Sequence, residues 1–316
     1  MSQIILSAQD LHKDFDKVQA VQGVSFDIQQ GEIFSLLGPN GAGKTTTLSM
    51  LSCLLTPTKG DALIDGHSVR KQADKVKQVI GVVPQEIALY PDLTARENLT
   101  FWGRMYGMGG VELKGRIDAV LEIVGLSDRA KEKVETYSGG MKRRINIAVG
   151  LLHQPKILFM DEPTVGIDPQ SRRRILDTVL DLNQKGLTVL YTTHYMEEAA
   201  ELSQRIGIID HGKLIALGTQ AELTRMVGQF DTLHIGVDGD KIDKEQILKV
   251  VEKTKGVHRA SFENGSMIVQ AEDANAVLGD IVAHMNQAGA RVLGLRMEEP
   301  NLEAVFLHLT GRALRD

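Results

Sequence analysis

Hydrophobic positions along the chain fall into two recurring patterns. One is a short apolar run bounded by glycine or polar residues: "EIFSLL", "VIGVVPQ", "KILFMDEP" and "LTVLYTTH". Such runs predict short buried strands. The other is helical spacing, seen in "KTTTLSMLSCLL", from Thr94 to about Ala130, and in "SRRRILDTVLDLNQKG". A proline and a glycine in "TPTKGD" stop the first of these helices. "SFDIQQGEIFSLL" predicts strand, turn and strand, and "RIGIIDHGKLIALG" predicts the same. Strands alternating with helices predict an α/β layer with a largely parallel sheet.

After about Gly228 the pattern changes. "DTLHIGVDG" predicts a strand and "DKEQILKVVEKTKG" a helix. "VHRASFENGSMIVQAED" predicts two strands around the turn signal Asn264–Gly265. "ANAVLGDIVAHMNQAG" follows as a helix and "ARVLGLRMEE" as a strand. The order β-α-β-β-α-β is ferredoxin-like. A last helix, "NLEAVFLHLTGRA", follows Pro300. A domain boundary is therefore expected near residues 222 to 231. It separates an α/β domain over 1–228 from a small α+β domain over 229–316.

Composition narrows the classes. The 316 residues are 42% hydrophobic and 24% charged, ordinary for a globular protein. The net charge of −5 gives no bulk positive field, so no nucleic-acid partner is expected. The single cysteine, Cys53, allows no intrachain disulfide framework and fits a reducing compartment. "MSQIILSAQDLHKDF" lacks a basic start followed by a long apolar run, so no signal peptide is expected. No stretch approaches the roughly 18 apolar residues of a membrane span. Work at a membrane would need another chain to bring this one there. Asp16, Asp27 and Arg172 to Arg174 read as solvated surface.

Against this background a few residues stand out. Gly38-Pro39-Asn40-Gly41-Ala42-Gly43-Lys44-Thr45 fits the phosphate-loop pattern G-x-x-x-x-G-K-[ST], and Thr46 follows it into the helix. The glycines let backbone N–H groups curl round phosphate oxygens at the positive end of that helix. Lys44 is placed to reach the β- and γ-phosphates, and the Thr45 hydroxyl to coordinate Mg²⁺. "ILFMDEP" ends a strand in Asp161 and Glu162. Alternation along a strand would send them to opposite faces, Asp161 to the metal and Glu162 to the attacking water as a general base. His194 ends another strand, where its imidazole could reach the γ-phosphate and that water. Gln85, just past "VVP", offers an amide to Mg²⁺ or water. "YSGGMKRR", Tyr137 to Arg144, reads as a second phosphate-binding helix start, but it has no lysine within a loop of its own.

Taken together these motifs resemble the nucleotide-binding subunit of an ATP-binding cassette (ABC) transporter, in the family's order, over roughly residues 3 to 222. The resemblance implies a P-loop ABC ATPase domain with a helical subdomain at about 90–155. It implies that Phe15 stacks on adenine, that Gln85 marks the Q-loop and that "YSGGM" is the signature. It also implies that Asp168 lies in the D-loop and that His194 is the switch histidine. In such proteins two copies meet head to tail, so Ser138, Gly139 and Gly140 would serve the partner's ATP. The commonest signature is Leu-Ser-Gly-Gly-Gln; here Tyr137 replaces the leucine and Met141 the glutamine. "YSGGMKRR", "GIDPQSRR", "TTHYMEEA" and "EEPNLEAVFLHLTGR" are similar to ABC-2-type exporters of the daunorubicin-resistance kind. That implies a homodimeric ATPase using ATP and Mg²⁺, peripheral at the cytoplasmic face, which drives export of a drug, antibiotic or lipid through a separate permease. The alternatives are an importer ATPase, or a soluble ABC ATPase acting on ribosomes or DNA.

Overall fold

The structure is a computed structural model, and it describes residues 3–226, 230–238, 244–263, 266–298 and 301–311. Gly228, Asn264–Gly265 and Pro300, on which sequence expectations fall, lie outside the described residues. The backbone divides into a first unit through Gln220 and a second from Ala221.

The first unit begins β1 (Ile4–Phe15), β2 (Val18–Gln29), β3 (Ile33–Leu37), α1 (Lys44–Leu51), β4 (Lys59–Ile64), β5 (His67–Ser68), α2 (Ala73–Val79) and β6 (Ile80–Val83). Three helices follow: α3 (Ala95–Met105), α4 (Gly110–Ile123) and α5 (Gly139–Leu151). The chain returns through β7 (Ile157–Asp161), α6 (Pro169–Gln184), β8 (Thr188–Thr193), α7 (Met196–Leu202), β9 (Arg205–Asp210) and β10 (Lys213–Gly218). One sheet has the order β10-β9-β3-β8-β7-β6, parallel except for the hairpin strand β10. A second sheet, β2-β1-β4-β5, is antiparallel.

The unbroken apolar runs have a simple cause. The parallel sheet is buried on both faces, so alternate residues of one strand feed different cores. In β7, Ile157 and Phe159 join the cluster containing Leu36, Leu48 and Leu190. Leu158 and Met160 join the other, with Ile175, Val179 and Tyr191. The helical segment packs into this second core through Leu99, Leu113, Ile117 and Ile145.

Two elements depart from the pattern. β1 is a strand that the hydrophobic spacing does not reveal. Its pairing with β2 shifts register between Ala8 and Leu11, and Asp10 takes a positive φ of 49°, so the period of two is lost. Helical spacing carries α1 through "SCLL", but α1 ends at Leu51. Cys53 turns left-handed at φ 59°. Its N–H donates to Met50 O at 3.2 Å, and Leu54 N–H donates to Ser49 O at 2.9 Å. This is a Schellman closure, usually built on glycine. Here a cysteine holds the left-handed position, so no glycine marks the stop.

α8 (Gln220–Arg225) spans the division between the units. The second unit continues with β11 (Asp231–Asp238), α9 (Lys244–Val251), β12 (Val257–Glu263), β13 (Ser266–Ala271), α10 (Ala274–Gln287), β14 (Arg291–Glu298) and α11 (Leu302–Thr310). Its sheet has the order β12-β13-β11-β14, antiparallel throughout, which is the ferredoxin-like arrangement. Leu233, Ile235, Met267 and Val269 pack with Ile247, Val277 and Ile281 to form a core of their own.

The start of α3 is fixed by polar contacts. Thr94 accepts from Glu97 N–H at 3.1 Å, and the Glu97 carboxylate accepts from Thr94 N–H at 2.8 Å, a capping box. Asn98 is fully buried beside it. Its amide donates to Tyr90 O and Thr94 O, both at 3.0 Å, and its Oδ1 accepts from Tyr90 N–H at 2.8 Å. Replacing Asn98 with Ala leaves Tyr90 N–H without its acceptor, while Tyr90 O and Thr94 O keep only their backbone donors, Leu93 N–H and Asn98 N–H. The expected cost is about 1–3 kcal/mol, read as a lower midpoint in chemical denaturation.

Candidate nucleotide-binding site

The loop between β3 and α1 is shaped by its surroundings. A Cβ on Gly38 would lie 2.2 Å from Ile209 O, and one on Gly43, whose φ is 105°, would lie 2.6 Å from Ala20 O. Backbone from elsewhere in the fold thus demands glycine at both ends of the loop. Gly43 is also the N-cap of α1 and offers no side chain to the helix. The first amides of α1 are therefore left without a side-chain acceptor, as an anion site needs.

Lys44 is buried. Its Nζ donates to Gly38 O at 2.6 Å and to Pro39 O at 3.0 Å, and pairs with Glu162 Oε1 at 2.9 Å. The other carboxylate oxygen of Glu162 lies 3.2 Å from His194 Nδ1. Asp161 Oδ1 accepts from Thr192 Oγ1 at 2.7 Å and from Thr45 Oγ1 at 3.2 Å. Burial pushes the Asp161 carboxyl above its ordinary value, and the hydrogen bonds from Thr192 and Thr45 pull against that. A cleft of about 200 Å³ opens here, lined among others by Asn40, Gly41, Lys44, Thr45, Gln85 and Glu162.

One expectation is corrected. Strand alternation does not separate Asp161 from Glu162, because β7 ends at Asp161. Glu162 has a positive φ of 43°, and its N–H is held by Thr192 Oγ1 at 3.0 Å. A turn off the strand end, rather than the pleat, aims its carboxylate at Lys44. Positive φ in a non-glycine residue is strained, and such strain gathers where a side chain has work to do.

The other expected site residues lie apart from the cleft lining. Phe15 is half exposed at the end of β1, with Lys13 Nζ 5.1 Å from its ring centre. Asp168 caps α6, its carboxylate accepting from Ser171 N–H at 2.9 Å. Ser138 caps α5, accepting from Met141 N–H at 3.3 Å, and neither it nor Gly139 nor Gly140 lines the cleft. The two unusual signature residues have structural work. Tyr137 is buried and donates its hydroxyl to Arg129 O at 2.6 Å. Met141 packs against the helical core.

Sequence reasoning passed over several polar residues that hold this site. Arg143 donates to Pro84 O at 2.7 Å and to Gln85 O at 2.6 Å. Asn146 Oδ1 accepts from Ala88 N–H at 3.3 Å. The helix behind the glycines of "YSGGM" thus grips the segment that carries Gln85. Arg172 is not solvated surface: its guanidinium lies over the Tyr195 ring at 4.2 Å and 3.4 Å from the buried Glu198 carboxylate. Asp27 pairs with Arg205, but its side chain remains 39% exposed. Arg173 does remain at the surface, paired with Asp177 and Glu201. A basic residue in the second turn after a capping serine was the available signal for Arg143, but nothing local announces its carbonyl partners.

The model of the ABC transporter family matches residues 21–165. The linearmycin resistance ATP-binding protein of Bacillus subtilis is 48% identical over 314 residues, 99% of this chain and the whole of that protein. The doxorubicin resistance ATP-binding protein DrrA of Mycobacterium tuberculosis is 38% identical over 297 residues, 93% of this chain and 89% of its own length. A solved ATP-binding cassette, dimeric in a post-hydrolysis state with ADP and Pi, superposes with a TM-score of 0.61 at 29% identity. That match covers 68% of this chain and 98% of the solved one.

The two signature glycines differ in what the fold demands of them. A Cβ on Gly140 would lie 2.2 Å from Ser171 Oγ, whereas one on Gly139 meets only Ile167 Cδ1 at 3.7 Å. Gly140→Ala is expected to destabilise the protein by about 1–3 kcal/mol, with part of the loss recovered by adding Ser171→Gly. Gly139→Ala is expected to leave stability unchanged or to raise it by up to ~1 kcal/mol. Thermal unfolding of the three variants checks both expectations.

Proposed function

This chain belongs to the ABC transporter family, as an ATP-binding, ATP-hydrolysing subunit, and from that premise we propose that it powers export through a membrane permease on a separate chain. The observation that carries the mechanistic reading is the run of buried contacts Lys44–Glu162–His194 at the mouth of the phosphate loop. The γ-phosphate of entering ATP competes with Glu162 for Lys44 and takes the lysine. Glu162, still contacted by His194, is then released to orient the attacking water and accept its proton. The loop from Gly38 to Thr46 supplies amides to the phosphates, and Phe15 supplies a face for the adenine.

The donor set also fits Mg²⁺. Thr45 Oγ1 and Asp161 Oδ1 are hard oxygens 3.2 Å apart, and the Gln85 amide belongs to the same cleft. When bound, the ion neutralises charge on the phosphates.

In this reading two copies close head to tail, with Ser138, Gly139 and Gly140 of one completing the site of the other and Asp168 at the seam. Two observations support it. The three signature residues line no part of their own chain's cleft, and among the described residues no close contact requires glycine at Gly139. The solved relative with ADP and Pi is itself dimeric. Export is supported by the relatives named for resistance to linearmycin and doxorubicin, since a transporter protects a cell by moving the compound out. The cargo class is a drug, antibiotic or lipid. Among the described residues no helix is long and apolar enough to cross a membrane. The permease is taken to supply the path, with this subunit peripheral on the cytoplasmic face.

Glu162→Gln is expected to bind ATP as the parent does and to release phosphate at least ~100-fold more slowly. Steady-state phosphate release beside nucleotide titration measures both, and turnover at the parent rate would remove the base assignment. The same variant, tagged and held with ATP in mild detergent, should co-purify a multi-span membrane protein in stoichiometric amount. Ribosomal or DNA-repair proteins in its place would overturn the transporter reading.

A further inference from the structure

Glu198 stands on α7, just beyond His194, and is 2% exposed. A carboxylate withdrawn from water needs donors around it, and these come from separate parts of the chain. Its Oε1 accepts from Thr164 Oγ1 at 2.7 Å and lies 3.4 Å from Arg172 Nε on α6. Its Oε2 accepts from Tyr191 OH and Thr193 Oγ1, both at 2.9 Å. Burial pushes the Tyr191 phenol well above its ordinary value, so it remains a donor.

These contacts bracket His194. On one side the Thr193 hydroxyl, held by Glu198, also accepts from Tyr195 N–H at 2.9 Å. On the other the Tyr195 ring lies between two neighbours: its centroid is 4.2 Å from that of His194, and the Arg172 guanidinium lies over it at 4.2 Å. Thr164 belongs to the turn that follows Glu162 and leads towards Asp168. One carboxylate therefore ties together the backbone on both sides of His194 and the turn after Glu162.

We propose that Glu198 is a positioning residue for ATP hydrolysis, setting the His194–Glu162 contact and linking it to the turn from Thr164 to Asp168. This rests on the reading of Glu162 and His194 given above. Glu198 is not among the residues that line the cleft, and in this proposal it acts through Glu162 and His194.

Gln in place of Glu198 keeps the shape but can accept through only one of its two end atoms. Either Thr164 Oγ1 or the pair Tyr191 OH and Thr193 Oγ1 then loses its carboxylate acceptor, and the segment carrying His194 loosens. The test uses the full-length protein. Glu198→Gln is made in the parent and in a His194→Ala background, and kcat and KM for ATP are measured by phosphate release, with thermal unfolding beside them. In the parent background kcat should fall ~10-fold with KM changed less than ~2-fold, and in the His194→Ala background Glu198→Gln should cost nothing further. An equal loss in both backgrounds, or no loss in the parent, overturns the proposal and leaves the assignments of Glu162 and His194 standing. His194→Ala turning over at the parent rate overturns the histidine's role and this proposal together. If Glu198→Gln does not fold, Thr164→Val goes through the same two backgrounds. It keeps the side-chain volume while removing one donor. A loss of about 3-fold confined to the parent is then the supporting result, and an equal loss in both is the opposing one.

Discussion

Lys44 and Glu162 form an ion pair almost wholly withdrawn from water, with side chains 3% and 5% exposed. Burying two charges costs more than their attraction returns unless further partners satisfy them. Lys44 finds two carbonyls on the phosphate loop, and Glu162 finds His194. The pair is tolerable only where the ends of β3, β7 and β8 come together. In the function proposed above it is also chemically useful there, because an incoming phosphate would replace the carboxylate at the lysine.

The parallel sheet makes that meeting possible. β8 lies between β3 and β7, and the register sets Thr192 opposite Asp161 and Thr193 opposite Leu37. Strands of one direction present their C-terminal ends at one edge, where open α/β sheets collect ligands. The apolar alternation of β7 between two cores holds its end in place. A rigid strand can then support a strained residue such as Glu162 just beyond it. Behind these ends lies a second layer of polar groups: Thr192 under Asp161 and Glu162, Arg143 and Asn146 behind Gln85, and Glu198 behind His194. Through Arg143, α5 is joined to the segment that carries Gln85 into the cleft.

Legibility in the sequence follows the range of each interaction. The buried strands, the helices α3 to α6, the phosphate loop and the ferredoxin-like order of the second unit could be read directly, because each leaves a local period or a run of turn residues. β1 could not, since its bulges scramble the alternation that marks a strand. The end of α1 could not, since a cysteine occupies the left-handed position that glycine usually signals. Of the candidate site, Lys44 and Thr45 stand out through the phosphate-loop pattern, and Gln85, Asp161, Glu162 and His194 through their places at or just past strand ends; the fold brings Lys44, Thr45, Gln85 and Glu162 to one cleft. The mechanism first inferred for aiming Glu162 was not right, because the pleat stops one residue earlier than the motif suggests.

Arg172 and Glu198 show where the boundary falls. Along the chain both look like ordinary helix-surface charges, and nothing nearby distinguishes Arg172 from Arg173. In the fold Arg172 stacks on Tyr195 beside a buried carboxylate, while Arg173 stays in surface ion pairs. Burial periodicity and backbone preference are properties of neighbouring residues, so the chain alone specifies its strands, helices and phosphate loop. The satisfaction of a buried charge depends on donors and acceptors outside its own element, from 5 to 59 residues away in the two cases here. Only packing brings Thr164, Tyr191 and Thr193 to one carboxylate, or Pro84 and Gln85 to one guanidinium, and so only the folded chain decides which charges are withdrawn from water.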